Sequence, residues 1–171
     1  MDQPQYKTAA QGRYELREKL GAGGSAVVFK AWDTKLHRFV AFKRLHPIND
    51  VDKGAVERMW REAMNLASIQ HPNILTIFDS GIEDEGPYVV TEYLEGEPLN
   101  YIIEKGVFKV EAFDEAARQM LEALIAAHHS DLIHRDLKPQ NIMALQMPSG
   151  AFQYKILDFG LAKFTSKPAE Q

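Results

Sequence analysis

The feature that most constrains this chain is a change in the spacing of its apolar residues near Gly96. Before that point, short β-type runs alternate with glycine-rich and proline-rich turns. This pattern predicts strands over residues 14–20, 26–33, 38–45, 74–81 and 88–93. After it the spacing becomes helical, with a short helix over 99–105 and a long one whose apolar face carries Phe113, Ala117, Met120, Leu124 and Ala127. Strands followed by helices predict an α+β fold.

One helix interrupts the predicted strands. Apolar residues recur with helical spacing over 52–68, where Glu57 and Arg61 add a favourable i,i+4 pair. Near the other end of the chain, residues 142–145 and 154–157 predict a small hairpin. The chain is therefore divided into a flexible N-terminal arm (1–13), a first domain (14–95) and a second domain (96–171).

The composition excludes several classes of protein. With 171 residues, of which 45% are apolar, the chain is long enough to bury a core. A formal net charge of −4 gives no broad electropositive surface, so neither nucleic acid nor an anionic membrane is expected as a partner. The absence of cysteine excludes disulfides and cysteine-based zinc sites. The polar start and the lack of a long apolar run predict a cytoplasmic protein.

Two features of the first domain favour a phosphate-binding site, although each also has a simpler explanation. Residues 21–28 read Gly-Ala-Gly-Gly-Ser-Ala-Val-Val, and glycines let backbone N–H groups approach phosphates closely. A glycine-rich hairpin turn would explain this segment equally well. Lys43 lies inside an apolar strand and must reach either solvent or a negative group, such as phosphate oxygens or Glu62 on the predicted helix.

The strongest functional signal is the octet His-Arg-Asp-Leu-Lys-Pro-Gln-Asn at 134–141, which apolar residues flank on both sides. Asp136 can orient a hydroxyl nucleophile and accept its proton, Lys138 can meet a transferring phosphate, and Asn141 can bind a metal. The alternative, a charged surface turn, is disfavoured, because chance seldom places charged and amide groups between apolar flanks. Asp158 follows an apolar strand and precedes Phe-Gly; its carboxylate suits Mg²⁺, although a strand-end turn is the alternative.

In this order and spacing, the glycine-rich segment, Lys43, Glu62, the octet and the Asp-Phe-Gly at 158–160 resemble the protein kinase family. The likeness runs from about residue 14 to 162. The Lys-Pro-Gln after Asp136 is similar to that of the serine/threonine class, and the sequence as a whole resembles bacterial relatives of the eukaryotic kinases. It implies a protein-kinase-like α+β fold: a five-stranded antiparallel small lobe with one main helix, then the first, mainly helical part of the large lobe. It also implies a serine/threonine protein kinase that uses ATP and Mg²⁺ and acts on a protein substrate.

The resemblance further implies roles for individual residues. The residues with catalytic roles would be Asp136 as the base, Lys138 and Lys43 at the phosphates, and Glu62 as the ion-pair partner of Lys43. The magnesium ligands would be Asn141 and Asp158. The residues that contact the nucleotide would be Leu20, Gly21, Ala22, Gly23, Gly24, Ser25, Val28, Ala41, Lys43, Thr91, Glu92, Leu94 and Met143.

Two departures from the family pattern carry further expectations. Ala26 replaces the third glycine of the phosphate loop, which stiffens that loop. After residue 163 the chain continues only to Gln171, which predicts a kinase domain truncated after the Asp-Phe-Gly motif, without the peptide-docking helices of the large lobe.

The family's internal apolar column would stack His134 and Phe159 with Leu66 and Ile77. Without the later helices, the long helix over 113–127 would expose apolar surface. Such a surface predicts self-association, exchange of elements between copies, or a partner that covers it.

The sequence leaves more than one function open. The first is phosphoryl transfer from ATP to a serine or threonine hydroxyl. The second is a nucleotide-binding regulatory fragment without independent transfer, and the third is a piece of a longer kinase. A phosphotransferase outside the protein kinases is disfavoured by the Lys-Pro-Gln after Asp136. Arg135 suggests, by resemblance, activation through a phosphorylated residue beyond Gln171.

Overall fold

The computed structural model describes residues 6–23, 26–46, 69–106, 108 and 110–159. The chain divides into two compact units. The first comprises Met1–Asp52 and Ile77–Tyr93, and the second comprises Lys53–Thr76 and Leu94–Gln171. The crossing from Tyr93 to Leu94 lies close to the predicted boundary at 95. The helix predicted over 52–68, with Glu62 and Leu66, lies outside the described residues.

The first unit is built on one antiparallel sheet with the strand order β1-β2-β3-β4-β6-β5. Its strands are β1 (Lys7–Ala9), β2 (Tyr14–Ala22), β3 (Ala26–Asp33), β4 (Arg38–Leu45), β5 (Ile77–Glu83) and β6 (Gly86–Glu92). The five predicted strands are present, and β3 and β4 have the predicted bounds. The sheet contains six strands because β1 adds one at its edge.

Strand β1 corrects the expectation of a flexible arm for the described residues before Tyr14. It pairs antiparallel with β2, and its last residue, Ala9, is only 3% exposed. The backbone N–H of Ala10 donates a hydrogen bond to the Glu83 carboxylate at 2.5 Å. Three residues with one apolar side chain give too short a pattern for sequence analysis to detect, so pairing and burial decide this strand's conformation.

The core of the first unit lies on one face of this sheet. Val40 and Phe42 of β4 are fully buried, and the Phe42 ring stacks on Tyr88 with 4.9 Å between ring centroids. Each such side chain contributes roughly 1.5–3 kcal/mol to folding through removal of apolar surface from water. Because successive side chains of a strand point to opposite faces, burial of Val40 and Phe42 places Ala41 and Lys43 on the other face.

A buried ion pair ties three strands of the first unit together. Asp33, which is 1% exposed, accepts hydrogen bonds from Nε and Nη2 of Arg13 at 3.2 and 3.0 Å. Nη1 of Arg13 donates to Asp79 at 2.9 Å. Burial alone would raise the pKa of the Asp33 carboxyl, but Arg13 and the backbone N–H groups of Leu36 and Lys35 hold it below its usual value. The pair therefore stays charged and joins the ends of β2 and β3 to β5.

Among its described residues, the second unit contains a three-stranded sheet and two helices. Its elements are β7 (Glu97–Pro98), α1 (Leu99–Glu104), α2 (Val110–His128), a 3₁₀ turn (Pro139–Asn141), β8 (Ile142–Gln146) and β9 (Phe152–Ile156). The strand order is β7-β8-β9, and both pairings are antiparallel. The two helices predicted after Gly96 and the β8–β9 hairpin are confirmed, whereas β7 was not predicted.

Helix α2 is apolar on more than one face. Its buried residues include Ala116, Met120, Ala123 and Ala127, and the helix packs against β9. Phe113, on the apolar face predicted for this helix, is 57% exposed, and Leu121 and Ile125 are also exposed, at 59% and 56%. Apolar residues therefore extend beyond the side of the helix that packs on β9, and the helix exposes apolar surface. In the described ranges, no helix is both long and apolar enough to cross a membrane.

The segment before β5 belongs to the second unit. Ile74 bridges to Ile156, the Leu75 N–H donates to the Ile156 carbonyl at 3.0 Å, and the Ile156 N–H donates to the Asn73 carbonyl at 2.8 Å. The strand predicted over 74–81 therefore begins only at Ile77, because the residues before it are hydrogen-bonded to the end of β9.

Buried amide groups anchor this segment to α2. The Asn73 Nδ2 donates to Gln119 Oε1 at 2.7 Å and to the Tyr154 carbonyl at 2.7 Å. The same Oε1 accepts the Tyr154 N–H at 2.8 Å, while the Gln119 Nε2 donates to the Phe152 carbonyl at 3.1 Å. Gln119 is 8% exposed, so these bonds are shielded from water.

Replacing Gln119 with leucine should destabilise the second unit by about 2–5 kcal/mol, because several buried groups would lose their partners. Leucine is similar in size, so the loss reports hydrogen bonding more than packing. Urea unfolding followed by circular dichroism measures it. The same substitution at the exposed Gln146 of β8 should change stability by less than about 0.5 kcal/mol. Equal effects of both variants would contradict this role for Gln119.

Candidate active site

The face of the first unit's sheet opposite its core carries several of the predicted nucleotide-contacting residues. Val28 pairs with Lys43, and Ala41 pairs with Thr91. Directly opposed residues of antiparallel strands point to the same side, so these four side chains share one face. Val28, Ala41 and Lys43 are half-buried, and Thr91 is 8% exposed.

The glycine-rich segment begins in the last residues of β2 and leads to β3. Gly21 pairs with Val28, and the Gly23 N–H donates to the Ala26 carbonyl at 2.9 Å. A Cβ atom built on Gly21 or Gly23 would meet no other atom within 4 Å. Open space therefore lies beside the backbone, as close approach by a ligand requires. Leu20 and Ala22, near the end of β2, are exposed, and Gly24 and Ser25 lie outside the described residues.

The chain leaves the first unit through Thr91, Glu92 and Tyr93. The Thr91 hydroxyl donates to the Glu92 carbonyl at 3.1 Å, and Glu92 pairs with Val40 at the end of β6. Leu94, the next predicted contact residue, belongs to the second unit and is half-buried. Lys43 cannot be matched to its predicted partner, since Glu62 is outside the described residues.

The octet of the second unit forms a compact charged cluster. Lys138 Nζ lies 2.7 Å from Asp136 Oδ2, and Asn141 Nδ2 donates to the same oxygen at 3.2 Å and to the Asp136 carbonyl at 2.8 Å. The hydrogen bond from Lys138 holds the pKa of the Asp136 carboxyl below its usual value, and Asn141 acts in the same direction. Asp136 is therefore ionised at neutral pH and can accept a hydrogen bond from a hydroxyl.

His134 links Asp136 to the segment before Asp158. The Nε2 of His134 donates to the Leu157 carbonyl at 2.7 Å, and its Nδ1 accepts the Asp136 N–H at 3.3 Å. These two bonds require the neutral tautomer with the proton on Nε2. The His134 ring, 3% exposed, also meets Phe159 edge-on with 4.7 Å between centroids, as the resemblance implies.

Sequence analysis missed the hydrogen bonds of His134. The available signal was its position two residues before Asp136 and next to apolar residues, which suits a buried ring that binds nearby backbone. The bonds depend on left-handed backbone at Arg135 and Asp158, with φ of 65° and 52°. Such conformations are rare for side-chain-bearing residues and are not visible in the sequence pattern.

The two residues proposed to hold a metal come from neighbouring backbone segments. The Leu157 N–H donates to the Asn141 carbonyl at 2.8 Å, so the residue before Asp158 is bonded to the last residue of the 3₁₀ turn. Because the Asn141 Nδ2 atom faces Asp136, the Oδ1 atom of the same side-chain amide points away from Asp136. An amide oxygen and a carboxylate fit Mg²⁺, which binds few protein ligands and keeps several waters.

Met143 lies on β8, half-buried, and pairs with Pro98 of β7. Gly96, just before β7, must be glycine, since a Cβ atom there would lie 2.4 Å from the Ala144 carbonyl oxygen. This contact is with backbone, which a side-chain movement cannot relieve. The close approach therefore fixes the position of the strand that carries Met143.

Replacing Gly96 with alanine should lower the stability of the second unit by about 1–3 kcal/mol, because β7 and β8 would have to separate. Thermal unfolding measures this loss. Gly21→Ala is the matched comparison, since its new methyl group meets nothing within 4 Å, and its melting temperature should stay near that of the unmodified chain. Similar melting temperatures for Gly96→Ala and Gly21→Ala would rule out the proposed crowding.

Comparisons with known proteins place the chain in a family. The sequence profile described as "Protein kinase domain" matches residues 14–171. A probable serine/threonine-protein kinase of Clostridium perfringens is 41% identical over 152 residues, which is 88% of this chain and 22% of that protein. Serine/threonine-protein kinase PrkC of Bacillus subtilis is 38% identical over 152 residues, with 88% and 23% coverage. The chain thus spans less than a quarter of the length of these relatives.

Solved structures have the same fold. The kinase domain of Mycobacterium tuberculosis PknI superposes with a TM-score of 0.76 at 25% identity, over 99% of this chain and 66% of that chain. Rad53 in complex with AMP-PNP superposes with a TM-score of 0.76 at 29% identity, over 91% of this chain and 40% of that chain. The protein-kinase-like α+β fold predicted from the sequence is confirmed, and the chain belongs to the protein kinase family.

Proposed function

We propose that this chain is the ATP-binding and catalytic region of a serine/threonine protein kinase, which transfers the γ-phosphate of ATP to a serine or threonine hydroxyl of a protein. The observation that carries the proposal is the second unit's charged cluster, in which Asp136 is held by Lys138 and Asn141. His134 and Leu157 connect this cluster to Asp158. General base, phosphate-binding cation and oxygen ligands for a metal are thus available in one unit.

Residues of the first unit supply the nucleotide contacts in this proposal. Val28 and Ala41 present apolar surface to the adenine, and the turn at 20–25 covers the phosphates with its backbone N–H groups. Lys43 binds the α- and β-phosphates, and the resemblance assigns Glu62, which lies outside the described residues, as its ion-pair partner. Backbone groups of 92–94 bond the adenine edge next to Thr91. Met143 stays a proposed adenine contact on the resemblance alone.

Residues of the second unit carry out the transfer. The Asp136 carboxylate accepts a hydrogen bond from the substrate hydroxyl and takes its proton as the oxygen bonds to the γ-phosphorus and the bond to ADP breaks. Lys138 neutralises charge on the transferring group while it keeps Asp136 ionised. Asn141 and Asp158 would hold Mg²⁺, which neutralises the phosphate oxygens when it is bound.

A second candidate is a nucleotide-binding region that does not transfer phosphate by itself. The exposed apolar side chains on α2 favour it, namely Phe113, Leu121 and Ile125. Folded domains rarely expose a group of large apolar side chains unless another element or a partner binds there. Self-association through exposed apolar surface stays a prediction, as does a cytoplasmic location.

The deciding experiment measures transfer of labelled γ-phosphate from Mg-ATP to a generic serine/threonine protein substrate and to the chain itself. ATP binding is measured in parallel by calorimetry. Binding with transfer supports the kinase proposal, and binding without transfer supports the second candidate. Absence of both would contradict the two proposals together.

A further inference from the structure

Lys30 occupies an unusual position on the first unit's sheet. Its Nζ lies 4.5 Å from the centroid of the Phe39 ring and 4.4 Å from that of Tyr93. The two rings are themselves neighbours, with 6.5 Å between centroids, and Trp32 packs edge-on against Phe39 at 4.9 Å. An ammonium group this close to two aromatic faces makes two cation–π contacts.

These contacts lie on the face that carries the proposed nucleotide residues. Lys30 pairs with Ala41, and Val28 lies two residues before it on the same strand, so all three side chains point to one side. In the part of the chain that the structure describes, Lys30 forms no ion pair. Within the described residues, the half-buried ammonium group of Lys30 is therefore stabilised by the Phe39 and Tyr93 rings.

Tyr93 stands where the chain passes from the first unit to the second. Strand β6 ends at Glu92, whose pairing with Val40 closes the ladder, so Tyr93 lies one residue beyond it. Its position therefore depends on side-chain contacts more than on strand pairing. Among the described residues, the Tyr93 ring contacts Lys30 and Phe39.

We propose that Lys30 is a positioning residue that holds Tyr93, and through it the 92–94 segment, in the conformation that binds adenine. The inference rests on the proposed nucleotide-binding function. Without the ammonium group, the segment would populate its binding-competent conformation for only a fraction of the time, and apparent affinity falls by that fraction. Two partly exposed cation–π contacts correspond to about a threefold to tenfold rise in Kd.

The test compares Kd for Mg-ATP, measured by calorimetry on the full chain, among matched variants. Lys30→Met keeps the length of the side chain but removes the charge, and should weaken binding about threefold to tenfold. Lys30→Arg keeps a cation over the rings and should bind nearly as well as the unmodified chain. Lys35→Met removes the same charge from the exposed β3–β4 turn, away from the rings, and should leave Kd unchanged.

A double-mutant cycle tests whether Tyr93 is the group through which Lys30 acts. Once Tyr93→Leu has removed the ring, Lys30→Met should have less effect on Kd than it has alone. Additive effects of the two substitutions would overturn the proposal. The proposal would also be overturned if Lys30→Met bound Mg-ATP with the same Kd as Lys35→Met, or if it lowered the melting temperature without changing Kd.

The outcomes separate this inference from the function on which it rests. If the unmodified chain does not bind Mg-ATP, the proposed function fails and the inference fails with it. If it binds Mg-ATP and Lys30→Met binds equally well, only the role of Lys30 is overturned. A loss that Lys30→Arg does not restore would also overturn it, because the charge over the rings would then not be the cause.

Discussion

Asp136→Asn is expected to lower phosphate transfer by about 10²–10⁴-fold, the contribution that a positioned general base makes. Asparagine keeps the shape of the side chain and an oxygen that can accept hydrogen bonds from Lys138 and Asn141. The bond from Asn141 Nδ2 to the Asp136 main-chain carbonyl, at 2.8 Å, is unaffected by the change. The variant therefore loses a negative charge and a proton acceptor while the loop keeps its form.

Binding measurements decide whether this loss is chemical. Kd for Mg-ATP should stay within about threefold of the unmodified value, because the nucleotide contacts are proposed for other residues, and a threefold change is under 1 kcal/mol. Asp114→Asn makes the same change on the exposed side of α2 and should transfer phosphate at the unmodified rate. Transfer by Asp136→Asn at the rate of Asp114→Asn would show that Asp136 is not the base.

The strands of the first unit could be predicted because their pattern is local. Both β3 and β4 are short β-type runs between turns, and the observed bounds, Ala26–Asp33 and Arg38–Leu45, match the predicted ranges. Sequence could not predict β1 or β7, which have three and two residues. Strands of that length form because a neighbouring strand offers hydrogen bonds, so the cause lies outside their own sequence.

The candidate site likewise combines features that the sequence predicts with features that it does not. Residue types and spacing were enough to select Asp136, Lys138 and Asn141, which lie within hydrogen-bonding distance of one another. The connection from His134 to the Leu157 carbonyl could not be predicted, because it depends on positive φ at Arg135 and not on a side-chain pattern. The apolar face predicted for α2 contains the buried Met120 and Ala127 but also the exposed Phe113, since apolar residues occur around more of the helix than one face.

Asp158→Asn should remove the magnesium dependence of nucleotide binding and lower phosphate transfer by at least about a hundredfold, since a bound metal contributes several kcal/mol to such reactions. Asparagine is the appropriate replacement because Asp158 has a φ of 52°, and asparagine tolerates this left-handed conformation as well as aspartate does. Alanine would add backbone strain to the loss of charge. Calorimetric titration of ATP, with and without MgCl₂, measures the effect.

Asp131→Asn provides the matched control. Asp131 has a φ of 55°, is exposed, and lies in the same unit, so its substitution makes the same chemical change at the same kind of backbone position. It should leave both transfer and magnesium dependence unchanged. If Asp158→Asn keeps full magnesium dependence, the metal is held without this carboxylate, and the oxygen pair proposed with Asn141 is wrong. If both variants lose transfer equally, the effect reflects negative charge in the unit and not a metal ligand.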